Sequence, residues 1–192
     1  SAVFVSEQGH AMTDTSDLEQ CSALTIGGTY DAEIIARSET GAGLLSPKSD
    51  FNPISYAKLG NAVRKGDKTF LSSYPYGGRL GLASVTEATV AETTDLSGNA
   101  EKFRLDLLAE PGDFGGAVLD QSGNLTGILV SQDDTGRVLP NTVNFAAATE
   151  ALASMMESAG LRLSSGTTKR LDDVALIASA QNILTPIECW ID

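Results

Sequence analysis

The chain is short of the side chains that most often bind metals and move protons. It has one histidine and two cysteines among 192 residues. Two cysteines and a single histidine cannot complete a structural zinc site, so no metal and no cofactor is expected. Positive charge is scarce as well: 13 lysines and arginines against 25 acidic residues leave a formal net charge of −12. A field of that sign repels phosphate backbones and anionic lipid, which argues against nucleic acid and membrane surfaces as partners. Its ordinary use is solubility, and so diffuse a charge points only weakly to a basic partner. No apolar run approaches the ~18 residues that a membrane helix needs, so membrane insertion is not expected. A methionine start and a signal-like leader are also missing. The chain opens at Ser1, as expected of a processed product or an excised piece of a longer protein.

What is present is ordinary globular material, 42% hydrophobic with 19 glycines and 6 prolines. That is enough for one sizeable domain or two small lobes sharing an interface. Cys21 and Cys189 lie far apart in sequence. They can form one long-range disulfide, which implies an oxidising compartment, or remain two separately buried thiols.

Short apolar or alternating runs divided by glycine-rich turns fill the first three quarters. They predict strands at Ala2–Val5, His10–Thr13, Ser22–Ile26, Tyr30–Ala36, Lys68–Ser73, Ala83–Ala91, Lys102–Leu107, Gly116–Leu119 and Leu125–Ser131. Asp120–Asn124 is a polar hairpin turn between the last two. This spacing indicates an all-β barrel or sandwich. Asn144–Gly160 then reads as a helix, with Phe145, Ala148, Leu152 and Met155 at helical spacing and Gly160 as its stop. The methionines there are core filler. Leu163–Lys169 reads as a linker, Asp172–Ala180 as a second short helix and Ile183–Ile191 as a final strand-like run.

The segment Glu110-Pro111-Gly112-Asp113-Phe114-Gly115-Gly116-Ala117-Val118-Leu119-Asp120 is the most informative. It resembles the P-G-N-S-G-G-P-L-L-D segment around the nucleophile of bacterial trypsin-like serine proteases, the chymotrypsin fold. The hairpin Gly123–Val130 is similar to that family's G-x-V-x-G-V-V strand, and Asn141–Ala146 resembles its N-V-N-F-A-I lead-in to a terminal helix. Leu71–Gly78 resembles a G-Y-P-x-G strand exit. Val3–Thr13 looks like F-F-V-S-x-D-G-H-V-L-T, and Ala32–Arg37 like A-E-V-V-A-R. One such match is weak, whereas six in order are specific.

The resemblance implies two six-stranded β-barrels. The first lobe would span 1–75, the second 76–145 and a C-terminal helix 146–160. Residues 161–192 would add a linker, a short helix and a tail strand. It also implies that the triad is replaced. After Thr13 the family continues N-A-H, so Ser16 stands at the histidine base, Gly41 stands at the aspartate, and Phe114 stands at the nucleophile. Gly112, Asp113 and Phe114 would be the remnant of the oxyanion turn. Losing triad members costs on the order of 10⁶-fold in turnover, and the Phe114 ring would fill the place of a substrate carbonyl.

His10 is expected at a hairpin turn away from the cleft, and Asp14, Ser16 and Asp17 as a solvated helix-start cap. Asp133–Gly136 is expected as an exposed turn. Asn124-Leu125-Thr126 fits a glycosylation acceptor but sits in a hairpin. By the same resemblance, the strand carrying Leu125, Gly127, Leu129 and Ser131 would hold an extended peptide by strand addition.

The expected function is that of a pseudoprotease of the bacterial periplasm or cell envelope that binds a protein or peptide or organises an assembly. The alternatives are a hydrolase with a rebuilt site and a purely structural, oligomerising domain. The family's first barrel begins with a strand that this chain starts too late to contain. The tail 182–191 is expected to take its place, within the chain or by exchange in a homo-oligomer, and a Cys21–Cys189 disulfide would fit that docking.

Overall fold

The computed structural model describes residues 1–132, 139–162 and 164–191. Both the expected turn Asp133–Gly136 and Leu163, the first residue of the predicted linker, lie outside them. Thirteen strands and two α-helices are described, and the strands form a nearly closed seven-stranded barrel and a closed six-stranded one.

The first barrel is built from β1 (Ala2–Phe4), β2 (Ala11–Asp14), β3 (Ala23–Ile26), β4 (Tyr30–Arg37) and β5 (Ala42–Pro47). Its remaining wall comes from the far end of the chain. β12 (Leu184–Thr185) pairs with β1 through Ala2↔Thr185 and Val3↔Leu184, and β13 (Ile187–Trp190) pairs with β3 from Ile187↔Ile26 to Trp190↔Ala23. Only Pro186 separates the two, so one tail lies against both edges of the sheet and brings it nearly to closure. Without it, β1 and β3 would present unpaired edges.

β6 (Lys68–Ser73), β7 (Ser84–Glu92), β8 (Lys102–Asp106), β9 (Ala117–Leu119), β10 (Leu125–Val130) and β11 (Val143–Ala148) form the second barrel, closed in the order β10-β11-β8-β7-β6-β9. β6 pairs with β7 and β9. The boundary between lobes therefore falls between Pro47 and Lys68, not at residue 75.

Two stretches differ from the sequence pattern. Asn144–Ala148, expected as the first turns of a helix, is β11, and α1 covers only Thr149–Ser158. Alanine's helix propensity is small beside pairing on both edges, with β8 through Asn144↔Leu105 and with β10 through Ala147↔Ile128. The buried Asn144 side chain also donates to the Leu107 carbonyl at 2.9 Å. β5 carries no alternation because Ala42 to Leu45 are buried on both faces.

α2 (Asp173–Ile183) is capped by Asp172, whose carboxylate accepts from the Ala175 N–H at 2.8 Å. Phe4, Leu24, Ile26 and Leu45 fill the first barrel, and Leu71, Phe103, Leu105 and Leu129 fill the second. A third cluster joins the lobes: Met12 and Leu44 meet Ile128 and Val130, and Leu152 and Met156 of α1 and Ile183 of α2 pack with them. This seam fixes the cleft between the barrels.

Candidate functional site

Residues from both lobes converge where β2 ends, β4 turns into β5, and the Gly112–Gly116 turn leads into β9. The turn itself is tightly held. Asp113 is buried; its carboxylate accepts from Ser73 Oγ at 2.6 Å and from the Glu110 N–H at 2.7 Å, while the Gly116 N–H donates to the Asp113 carbonyl at 2.9 Å. Gly115 has φ +82°, and a Cβ there would lie 2.1 Å from the Ser1 carbonyl and 2.4 Å from Thr13 Oγ1. Only glycine lets the turn press this closely on the first barrel.

Ser1 completes the junction. Its Oγ donates to the Gly112 carbonyl at 2.6 Å and accepts from the Tyr74 N–H at 2.7 Å, and its own carbonyl accepts from Thr13 Oγ1 at 2.6 Å. Its nitrogen donates to the Phe114 carbonyl at 3.2 Å. The Phe114 ring is half-buried and packs against the second-barrel cluster. It is thus anchored on that lobe's apolar interior.

Ser16, Gly41 and Ser131 are gathered around one carboxylate. Asp14 Oδ2 accepts from Ser16 Oγ and from Ser131 Oγ, each at 2.6 Å, and the two hydroxyl oxygens stand 2.9 Å apart. Asp14 Oδ1 is buried and has no hydrogen-bond partner among the described residues. A Cβ at Gly41, where φ is +94°, would lie 3.5 Å from that oxygen. The expected helix cap is therefore absent: residues 15–20 form turns, and Asp14 is the last residue of β2. A local signal exists for half of this, since a serine hydroxyl in a turn readily ties to an aspartate two residues before it. Asp14 and Ser16 are so spaced, but the partnership with Ser131, 117 residues away, has no local signature.

The other sequence candidates fall elsewhere. Leu125, Gly127 and Leu129 are buried in the barrel wall, with β10 paired to β9 on one side and β11 on the other. Their edges are occupied, so strand addition there is excluded, and of the four groove residues only Ser131 reaches the Asp14 group. Asn124 is buried and its amide donates to Asp120 Oδ2 and to the Thr167 carbonyl, both at 2.8 Å, so it is not presented as a glycosylation acceptor. His10 lies beyond the β1–β2 turn, with Nδ1 2.7 Å from Ser6 Oγ, and burial holds its pKa below the usual value. Cys21 and Cys189 form a disulfide with Cα atoms 5.2 Å apart. Among the described residues, no group of three or more His, Cys, Asp or Glu side chains could hold a metal ion.

Two barrels with a cleft built on a G-D-x-G-G turn define the architecture of a trypsin-like peptidase. The chain belongs to the trypsin-like peptidase domain family, whose model matches residues 1–128. Among curated proteins it is 29% identical, over 97% of its length, to the uncharacterized protein y4bJ of Sinorhizobium fredii, and spans 31% of that protein. Among solved structures it resembles the serine endoprotease of Yersinia pestis, with a TM-score of 0.65 and 19% identity over 82% of this chain and 56% of that one. The HtrA-type protease AlgW with a decapeptide gives a TM-score of 0.65 at 23% identity, covering 83% of this chain and 51% of that chain. The Rv3671c protease in its inactive form gives 0.62 at 16% identity, covering 83% of each chain. These likenesses show the fold.

Proposed function

We propose that this chain is a non-catalytic trypsin-like protease homologue that binds a protein or peptide, or organises an assembly, in the bacterial cell envelope. One observation carries the reading. Phe114, in the residue place that the family motif gives to serine, has no nucleophilic atom and packs its ring on the second barrel. The mechanism of the family needs a hydroxyl, a base and an orienting carboxylate acting together. Ser16 and Ser131 are both tied to Asp14, and a carboxylate is a weak base toward a serine hydroxyl near neutral pH.

Binding is supported by the surface beside the site. The 3₁₀ turn Pro75–Gly78 abuts Gly112, since the Tyr76 N–H donates to the Pro111 carbonyl, and the chain beyond it leaves Leu80 and Leu82 64% and 72% exposed. Neighbouring exposed apolar side chains are the usual material of a recognition surface. The disulfide favours an oxidising compartment such as the periplasm. The charge of −12 argues against nucleic acid, and among the described residues no helix is long and apolar enough to cross a membrane.

The test is incubation at high protein concentration with a proteome-derived peptide library, read by mass spectrometry for cuts and for retention. Selective retention without cuts is the expected result. Reproducible cuts abolished by a substitution in this chain would replace the reading with that of a hydrolase. Neither cuts nor retention would favour a structural, oligomerising domain.

A further inference from the structure

The crossing between the barrels contains extended chain with unused backbone groups. Leu59 is bridged to Leu125 and Ser165, and the Gly60 N–H donates to the Leu125 carbonyl at 2.8 Å. Asn61, Ala62 and Val63, which follow, make no backbone hydrogen bond among the described residues. This segment borders two cavities, which share Ala62, Val63 and Thr126. One is apolar, about 450 Å³, with Val63 on its wall and the buried Phe103, Ala148 and Ala151 at its floor. The other is polar, about 310 Å³, and is lined by Arg64, Lys68 and Arg170. Arg170 is brought there by the linker after α1, which is tied to the 120–124 hairpin: the Thr167 N–H donates to Asn124 Oδ1 at 3.1 Å and the Leu171 N–H to the Gln121 carbonyl at 2.9 Å. The carboxylates of this cleft are engaged. Asp120 accepts from the Ser122 and Asn124 N–H groups and from the Asn124 amide, and Asp67 accepts from the Arg64 N–H. Lys68 pairs with Glu87 at 2.6 Å. The Arg64 and Arg170 guanidinium groups are exposed and have no hydrogen bond or ion pair among the described residues. Glu101 and Glu150 stand exposed on the rim of the apolar cavity.

We infer that this groove is a second binding site, built for an extended segment of a partner protein in which an apolar side chain neighbours acidic ones. The apolar side chain enters the cavity over Phe103, as in other sites where apolar walls supply the affinity. Carboxylates on one side of it meet Arg64 and Arg170, whose guanidinium forks suit them, and the backbone pairs with Asn61–Val63 by strand addition. The two glutamates on the other rim disfavour acid there, so the charge has to lie on one side only. The groove sits at the start of β10, where Thr126 is, whereas Ser131 and the Asp14 group follow the end of that strand. It is therefore separate from the cleft between the barrels, and it does not rest on the non-catalytic reading: peptide cleavage by this chain would overturn that reading and leave the groove as it is.

The test is fluorescence anisotropy of capped, dye-labelled peptides with the natural chain. Each peptide carries one leucine in an alanine and serine background, with aspartates on its N-terminal side, on its C-terminal side or on both, or with lysines in their place. One of the two one-sided acidic peptides is expected to bind, the lysine peptides are not, and replacing the leucine by alanine should weaken binding about tenfold. The peptide with aspartates on both sides should bind several-fold more weakly than the one-sided form, which separates this groove from a merely basic patch, where more acid binds better. The variant R64E/R170E, made at two exposed positions, should weaken the binding at least tenfold, whereas L80S/L82S should leave it unchanged. No binding by any acidic peptide up to about 1 mM would overturn the inference. So would affinity that R64E/R170E leaves in place, that L80S/L82S abolishes, or that is highest for the doubly acidic peptide.

Discussion

Asp113 and Phe114 are neighbours with opposite demands, one a buried carboxylate and the other an apolar ring, and the turn satisfies both. Asp113 is held by Ser73 Oγ and the Glu110 N–H, so Asp113→Ala leaves one buried and one half-buried donor unpaired. The expected cost is about 2–4 kcal/mol, since hydrogen bonds to charged groups are the strong ones and orphaned partners add their own penalty. Urea unfolding measures it, and a loss under ~1 kcal/mol would mean the turn is not held this way. Phe114→Ser restores a hydroxyl but no base, so hydrolysis of an activated ester should stay at background; turnover above it would overturn the account of the site. His10 supplies a pH dependence of stability. Burial depresses its folded pKa, so the unfolded chain takes up the proton first as pH falls. Its contribution is full above about 6.5 and is lost as pH drops through the lower folded value. His10→Gln should therefore reduce the fall in urea midpoint between pH 7.5 and pH 5, and an unchanged fall would assign that dependence to the carboxylates.

At the scale of elements, the legible parts of the sequence are those where local chemistry and tertiary role agree. β3, β6 and β10 sit between glycine or polar turns and read as strands from the chain alone. The G-D-x-G-G turn is legible because its glycines answer to backbone constraints, as Gly115 shows with its 2.1 Å approach to the Ser1 carbonyl. What escapes is set by partners distant in sequence. β11 looks helical through its alanines, β5 has no alternation because both faces are buried, and Asp14 reads as a cap because Ser131 is 117 residues away. β10 is the element most constrained by both lobes, with Leu129 in the second barrel and Ile128 and Val130 in the seam. Gly127 lets Phe103 lie over it: a Cβ there would meet the ring at 2.7 Å and the Ala147 carbonyl at 2.8 Å. Gly127→Ala should then cost about 1–3 kcal/mol by overpacking, lowering the thermal midpoint by several degrees. A neutral result would mean that Phe103 has another place to go.

At the scale of the whole molecule, the first barrel depends on a segment that must return from the far end of the chain. Its backbone hold on β1 is short, two residue pairs at Ala2↔Thr185 and Val3↔Leu184, and Pro186 interrupts the ladder because it has no N–H to give. β13 adds four pairs to β3, with the Ser22 N–H donating to the Trp190 carbonyl at 2.7 Å and the Gly27 N–H to the Pro186 carbonyl at 2.9 Å. Such a segment would fray if held by these alone, because closing a loop across a sequence separation of 168 residues carries a large entropic cost. The Cys21–Cys189 bond removes that cost from the folding equilibrium, which is worth about 2–5 kcal/mol for a native disulfide. Reduction, or the C21S/C189S pair, should therefore destabilise the first barrel more than the second. Hydrogen exchange is expected to accelerate across β12, β13 and their partners β1 and β3, while β7, β8 and β11, closed within their own barrel, keep their protection. Equal acceleration in both barrels would mean that the seam of Met12, Leu44, Ile128 and Val130 couples the lobes into one unfolding unit, and no acceleration anywhere would mean that strand pairing alone holds the tail.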